Sequence, residues 1–249
     1  EKYDMVFATS SRLFTAFLGA FIARKKRIPL FLDIRDIFLD TLNSIMNSWQ
    51  LFILKPIITR IEHFTIKQAN HINLVSEGFK DYFLRKYPDK LYSYFTNGID
   101  EEFLNYDFKK TTDSNKKVIT YAGNIGEGQG LHQIVPFLAE YLGNEFEFHI
   151  YGDGGKKNEL LQLLEKHQIS NVKIFAPVSR EELKKIYKES DYLFLHLNDY
   201  EAFRKVLPSK IFEYGATEKP VIAGVSGYCA RFIKQHLPSW FVFEPTNLA

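Results

Sequence analysis

Short β-branched and aromatic runs alternate with polar, helically spaced stretches through the second half of this chain. Val118–Gly130 and Phe146–Gly155 read as strands that run into glycine-rich loops, and Val172–Val178, Tyr192–His196 and Val221–Ala223 read as further strands. Leu131–Val135 follows the first loop at helical spacing, and polar helical stretches follow the Phe146 and Val172 strands. Such regular alternation predicts an α/β fold, a parallel sheet covered on both faces. The first half opens on the approach to a strand, Tyr3–Phe7. It carries two apolar stretches with basic neighbours, Leu13–Ala23 running into Arg24–Arg27, and Trp49–Ile58. Neither is long enough to span a bilayer. They suit either helices that cover a sheet or segments lying on an anionic membrane face. Tyr106–Lys117 is polar and lacks apolar periodicity, which places a linker at 106–116 between domains at 1–105 and 117–249.

Ligands of parallel sheets bind at the carboxyl ends of the strands, and the candidate chemistry of this chain gathers there. The loop Gly123-Asn124-Ile125-Gly126-Glu127-Gly128-Gln129-Gly130 lacks side chains where backbone amides would close on a phosphate. Its spacing is neither the dinucleotide fingerprint nor a P-loop, so alone it equally fits a plain strand-to-helix turn. Gly154 and the Pro177–Val178 turn fall on the same rim. Pro208-Ser209-Lys210-Ile211-Phe212-Glu213 reads as a helix start in which Ser209 caps. The amides of Ile211 and Phe212 then point outward beside the Lys210 ammonium, and Glu213 offers a carboxylate to vicinal hydroxyls one turn later. An ordinary capped helix has the same pattern.

Composition narrows the partners. With 249 residues, 45% hydrophobic and 25% charged, the chain can bury two modest cores. A formal net charge of +2 gives no concentrated basic face for nucleic acid. The single cysteine, Cys229, excludes an internal disulfide, suits a reducing compartment and reads as a buried inert thiol. Seven histidines without ligand spacing, and no Asp-x-Asp pair, leave a divalent ion without an evident cage, so no cofactor is expected.

Tyr121–Gly126, Tyr151–Gly154, Pro208–Glu213 and Lys219–Ile222 together resemble the donor-binding domain of glycosyltransferase family 4 enzymes. Ile28–Asp36, Ala69–Phe79 and Thr96–Asp100 resemble the second half of their acceptor-binding domain, in the same order. The resemblance implies the GT-B fold, two Rossmann-like domains facing a cleft, here with the first domain incomplete and a final helix beyond Ala249 missing. The nearest type is the bacterial transferases of O-antigen, capsule or exopolysaccharide synthesis. The activity implied is transfer of a sugar, with retention, from a nucleotide diphosphate donor, UDP by family precedent, to a lipid-linked or polysaccharide acceptor at the cytoplasmic membrane face. Donor contacts carried over are Gly123, Asn124, Gly126, Gly154, Pro177, Val178, Ser209, Lys210, Ile211 and Glu213, with Lys210, Arg35 and Asp36 as catalytic candidates. Arg35 is a candidate for steadying a phosphate, and equally for a structural Arg–Asp pair. Relatives carry an Arg and a Lys where Asn124 and Gln129 stand, and a Glu where Lys205 stands. Glu201, Arg204 and Lys205 are therefore sugar-contact candidates. A non-catalytic nucleotide-sugar-binding module, or less well a UDP-sugar epimerase, would share this architecture.

Overall fold

The computed structural model describes residues 2–10, 13–40, 48–112 and 114–245. The chain divides into two compact units, Glu1–Asn97 with Tyr200–Leu207, and Gly98–Asp199 with Pro208–Ala249. Among the described residues each unit carries one sheet, and all its strand pairs are parallel.

In unit 1 the strands β1 (Val6–Ser10), β2 (Leu30–Ile34), β3 (His71–Leu74) and β4 (Tyr92–Ser93) lie in that order. Leu30, Leu32, Ile72 and Leu74 are fully buried, as expected where both faces of a parallel sheet are covered. Helix α1 (Leu13–Lys26) turns Ala16, Gly19, Ala20 and Ala23 inward. A Cβ on Gly19 would stand 2.5 Å from that of Ala8, so the small-residue face lets α1 lie directly on β1. Its last turn holds Arg24, Lys25 and Lys26, placed to favour the negative helix end. Helix α2 (Ser48–Gln68) packs against α1, and α3 (Lys80–Lys86) contributes buried Phe83. Phe14, Leu18 and Phe21 of α1 and Trp49, Phe52, Ile53 and Ile57 of α2 remain exposed. Among the described residues no helix is long and apolar enough to cross a membrane.

In unit 2 the strands β5 (Lys117–Ala122), β6 (Phe146–Tyr151), β7 (Val172–Phe175), β8 (Tyr192–His196), β9 (Val221–Gly224) and β10 (Phe241–Phe243) are ordered β10-β9-β8-β5-β6-β7. The chain winds outward from β5 in one direction and from β8 in the other, so the β5–β8 boundary is the topological switch point. The short helix α4 (Glu101–Leu104) precedes the sheet. Helices α5 (Leu131–Leu142), α6 (Lys157–Lys166), α7 (Arg180–Glu189), α8 (Lys210–Gly215) and α9 (Gly227–His236) make the connections. Tyr121, Phe148, Ile150, Phe194 and Leu160 are among the buried side chains that fill the core. Cys229 of α9 is buried too, and desolvation pushes its thiol up to about 12, which leaves no thiolate near neutral pH.

The domain division differs from the one expected from polarity. It falls between Asn97 and Gly98 and not within 106–116, and residues 200–207 group with unit 1. Residues 98–116 carry anchors that hydropathy periodicity does not register. Phe103 and Phe108 are buried, Lys110 pairs with Asp191 at 2.8 Å, and the Thr111 and Thr112 hydroxyls donate to Glu189.

Candidate functional site

The three strand-end loops of unit 2 are laced together by main-chain bonds. The Gly123 amide donates to Tyr151 O at 2.8 Å, Gly152 N to Phe175 O at 3.1 Å and Ile125 N to Asp153 O at 2.8 Å. They border a cleft of about 390 Å³ at the carboxyl end of the sheet, lined by Gly123, Asn124, Asp153, Pro177, Lys210 and Glu213 among others. Glycine at 123 is required by what crosses it. Its φ is +152°, and a Cβ there would stand 2.7 Å from Lys210 Cε and 2.8 Å from Nζ. Lys210 thus reaches from the start of α8 over the bare end of β5, with its ammonium 5.7 Å from the centre of the Tyr121 ring.

Desolvation dominates the electrostatics of that ammonium. Burial holds the Lys210 amine below the usual lysine value, and the Glu213 carboxylate partly offsets this. Among the described residues no carboxylate lies within 4 Å of its Nζ. Glu213 is itself mostly covered, 19% exposed, and faces the Arg180 guanidinium at 3.5 Å. Arg180 is braced by Asp100, by Glu102 at 3.1 Å and by the Phe103 ring, 4.9 Å from its Cζ. α7 starts at Arg180 because Ser179 caps it, its hydroxyl accepting from Glu182 N at 3.2 Å. Sequence reading had no means to connect Arg180 to Glu213, since only tertiary packing brings them together.

Several expected contacts are corrected. Ser209 does not cap α8: its backbone is already helical (φ −58°, ψ −27°) and its side chain makes no capping bond. The amides of Ile211 and Phe212 are not offered to a ligand, because they donate to Pro208 O and Ser209 O at 3.1 Å each. Ile211 is buried in the core and lines nothing. Gly154 and Gly126 also stand behind the lining. A Cβ on Gly154 would meet Ile125 O at 2.5 Å, and one on Gly126 the Asn124 amide nitrogen at 2.4 Å, so both serve close packing of the loops. Gly123, Asn124, Pro177, Val178, Lys210 and Glu213 do line the cleft, as do Tyr151, Gly152 and Asp153 of the Tyr151–Gly154 motif, residues to which the sequence assigns no individual contact, and Leu183, which no sequence signal marks.

Arg204, Lys205 and Glu201 belong to unit 1. There the Lys205 ammonium pairs with Asp40 at 2.7 Å and Glu201 at 3.7 Å, and Arg204 stands 3.9 Å from Glu201. Lys205 is therefore a committed ion-pair partner and supplies no uncommitted charge. Arg35 also forms the structural pair. Its Nε donates to Asp33 at 3.1 Å and Thr9 at 3.0 Å, and a terminal nitrogen donates to Asn97 at 2.9 Å. Asp36 is half-buried, and desolvation lifts its carboxyl to about 6, opposed by Arg35. A carboxyl that binds its proton more tightly in the folded state than its ordinary 3.8 destabilises the fold once ionised. That penalty is present at pH 7 and is relieved as pH falls from about 6 toward 4. Asp36→Asn is accordingly expected to raise stability at pH 7 by about 1–2 kcal/mol, allowing for partial solvation. Urea melts at pH 7 and pH 4 check this; an equal gain at both would refute it.

A family model described as glycosyl transferases group 1 matches residues 102–249. The chain belongs to that family. A stretch of 97 residues, 39% of the chain, is 34% identical to the putative colanic acid biosynthesis glycosyl transferase WcaI of Escherichia coli K12 and covers 24% of it. The structure is similar to Anabaena HepE in complex with UDP and glucose, with a TM-score of 0.74 at 19% identity over 99% of this chain and 65% of that one. It is also similar to the lipopolysaccharide outer core galactosyltransferase WaaB, with a TM-score of 0.66 at 16% identity over 98% and 63%. These likenesses establish the fold: α/β, two parallel-sheet domains of the GT-B glycosyltransferase type. The chain spans about a quarter of the curated relative and under two thirds of either solved structure.

Proposed function

We propose that unit 2 seats the diphosphate of a nucleotide-sugar donor, a UDP-sugar, and that the protein transfers the sugar with retention to an acceptor hydroxyl. The observation that carries this reading is the Lys210 ammonium, partly desolvated and without a carboxylate partner, laid over Gly123 at the switch point of the sheet. A diphosphate oxygen there would restore to the amine the charge-stabilising surroundings that burial removes. Among the described residues the amide of Asn124, which lines the cleft, has no protein acceptor and would supply a neutral donor. Glu213, steered by Arg180, is placed to accept from vicinal ribose hydroxyls. In such a reaction the protein stabilises charge growing on the departing diphosphate, and Lys210 is the cation for that role. No metal is invoked in this reading. The solved HepE complex holds UDP and glucose, which favours the same class of donor here.

A thermal-shift panel of nucleoside diphosphates tests the donor reading. UDP at a hundredfold excess over its Kd stabilises by about 2.7 kcal/mol, and no shift with any nucleoside diphosphate would refute it. Glu213→Gln is expected to raise the UDP Kd by about tenfold, the loss of a charge-assisted hydrogen bond, while inorganic pyrophosphate binding stays unchanged. Calorimetric titration with the two ligands checks it.

For the acceptor we propose a lipid-linked glycan intermediate of cell-surface polysaccharide synthesis, met at the cytoplasmic face of the membrane. Supporting this is the face of α1 and α2 in unit 1. Phe21, Phe17 and Phe64 line a hollow together with Arg24, Lys25, Arg27 and Arg60, the combination of apolar and cationic groups that binds anionic lipid surfaces. Flotation with phosphatidylglycerol vesicles, compared with neutral phosphatidylcholine, tests it: binding to neither would refute the peripheral contact.

A further inference from the structure

The carbonyls of three consecutive residues in the glycine loop are tied to the end of β8. His196 Nδ1 lies 2.6 Å from Gln129 O, Asn198 N donates to Gly128 O at 2.9 Å, and Asn198 Nδ2 donates to Glu127 O at 3.0 Å. Because a carbonyl only accepts, the imidazole proton sits on Nδ1. The Gln129 side chain in turn accepts from Asn124 Nδ2 at 2.9 Å, and Asn124 lines the cleft.

His196 is an expensive way to fill this position. It is 1% exposed, and its Nε2 has no hydrogen-bond partner. The ring is wedged between Phe194 and Phe243, with Gly224 making room: a Cβ there would stand 2.3 Å from His196 Cδ2. An apolar side chain would fill that aromatic slot without a stranded nitrogen. What histidine adds is the donor aimed at the loop. Burial pushes the imidazole down to about 4, so this neutral, one-proton form persists throughout the physiological range. Gly130 is shaped for the same contact, with φ +59° and a Cβ position 3.1 Å from the Asn198 side chain.

We propose that His196 and Asn198 are positioning residues, a clamp at the end of β8 that presets the glycine loop to receive the donor diphosphate. The proposal rests on the donor reading above. It makes a prediction about nitrogen placement that a packing role does not make. Asparagine carries its donor at the δ position, as His196 does, whereas glutamine carries it one atom further out. His196→Gln is therefore expected to weaken UDP binding by about tenfold, the cost of a loop that spends most of its time out of shape. Amide exchange at Gln129 and Gly130, whose amides close turns onto Gly126 O, should be faster in that variant. His196→Asn should restore both.

The experiment is titration calorimetry with UDP and amide hydrogen exchange on the 249-residue chain and the two variants, with melting temperatures to confirm folding. If the unaltered chain binds UDP and His196→Gln binds it equally well, the clamp is refuted while the donor reading stands. Equal losses in the Asn and Gln variants also refute it, since that is what lost packing would give. If the unaltered chain binds no UDP, the donor reading fails. Exchange at 129–130 then decides the clamp by itself: unchanged rates in His196→Gln overturn it, and faster rates reversed by Asn support it.

Discussion

Replacing Lys210 by Ala should lower turnover of a UDP-sugar by about 10²- to 10³-fold, the usual cost of losing one preorganised donor to a developing negative charge. The expectation follows from what surrounds the amine. A surface lysine loses little on truncation because water and salt screen it. Lys210 is half-buried, held below its ordinary pKa by desolvation, and has no carboxylate within 4 Å among the described residues, so an incoming anion would meet a poorly screened charge. The same surroundings predict the effect on stability. A lysine whose folded pKa is lowered costs folding energy wherever it is charged, and the cost disappears as pH rises toward the unfolded value of 10.5. Lys210→Met should therefore keep or raise the melting temperature at pH 7 while removing activity. Steady-state kinetics beside a thermal melt separates the two effects. A Met variant with more than a tenth of the original kcat/KM would show that Lys210 is not the diphosphate contact. UDP binding without turnover in the unaltered chain would instead favour a non-catalytic nucleotide-sugar-binding module.

The parts of this site that sequence makes legible are those encoded within one element. Lys210 and Glu213 are three residues apart, which puts both on one face of a helix, and the structure brings both to the cleft. Five of the six strands of unit 2 are legible because each is a short β-branched or aromatic run, and the alternation with helices points to a parallel sheet; β10, only three residues long, carries too short a pattern to read. Ser209 departs from the expected capping role for a local reason. Pro208 and Ser209 themselves supply carbonyls to the first helical amides, so the chain enters α8 through a tight turn and needs no side-chain cap. Arg180, His196 and Asn198 could not be linked to the site because their partners lie 33, 67 and 71 residues away along the chain, joined only by the strand order β8-β5-β6-β7. Lys205 illustrates the converse. Its place eight residues before Glu213, where relatives carry a Glu, made it a sugar-contact candidate, and long-range packing gives its ammonium to Asp40.

Gly152→Ala should be among the most damaging single-methyl changes in the chain. The added Cβ would stand 1.8 Å from Gly123 O, a main-chain atom that cannot rotate away as a side chain would. Relief requires β5 and β6 to part at their ends, where Gly123 N donates to Tyr151 O at 2.8 Å. That movement also displaces Gly123 from beneath Lys210, whose Cε occupies the space directly above it. Overpacking against fixed backbone costs about 3 kcal/mol. For a chain of this length the corresponding fall in melting temperature is about 6–12 °C. UDP affinity should fall with it, because the ammonium and the loop amides no longer share one face. Gly155→Ala provides the control three residues along: a Cβ there meets nothing within 4 Å, and a change within about 0.5 kcal/mol is expected. Thermal melts of both variants with and without UDP decide the matter. Equal stability of the two would mean that the ends of β5 and β6 are not in the close register on which the cleft depends.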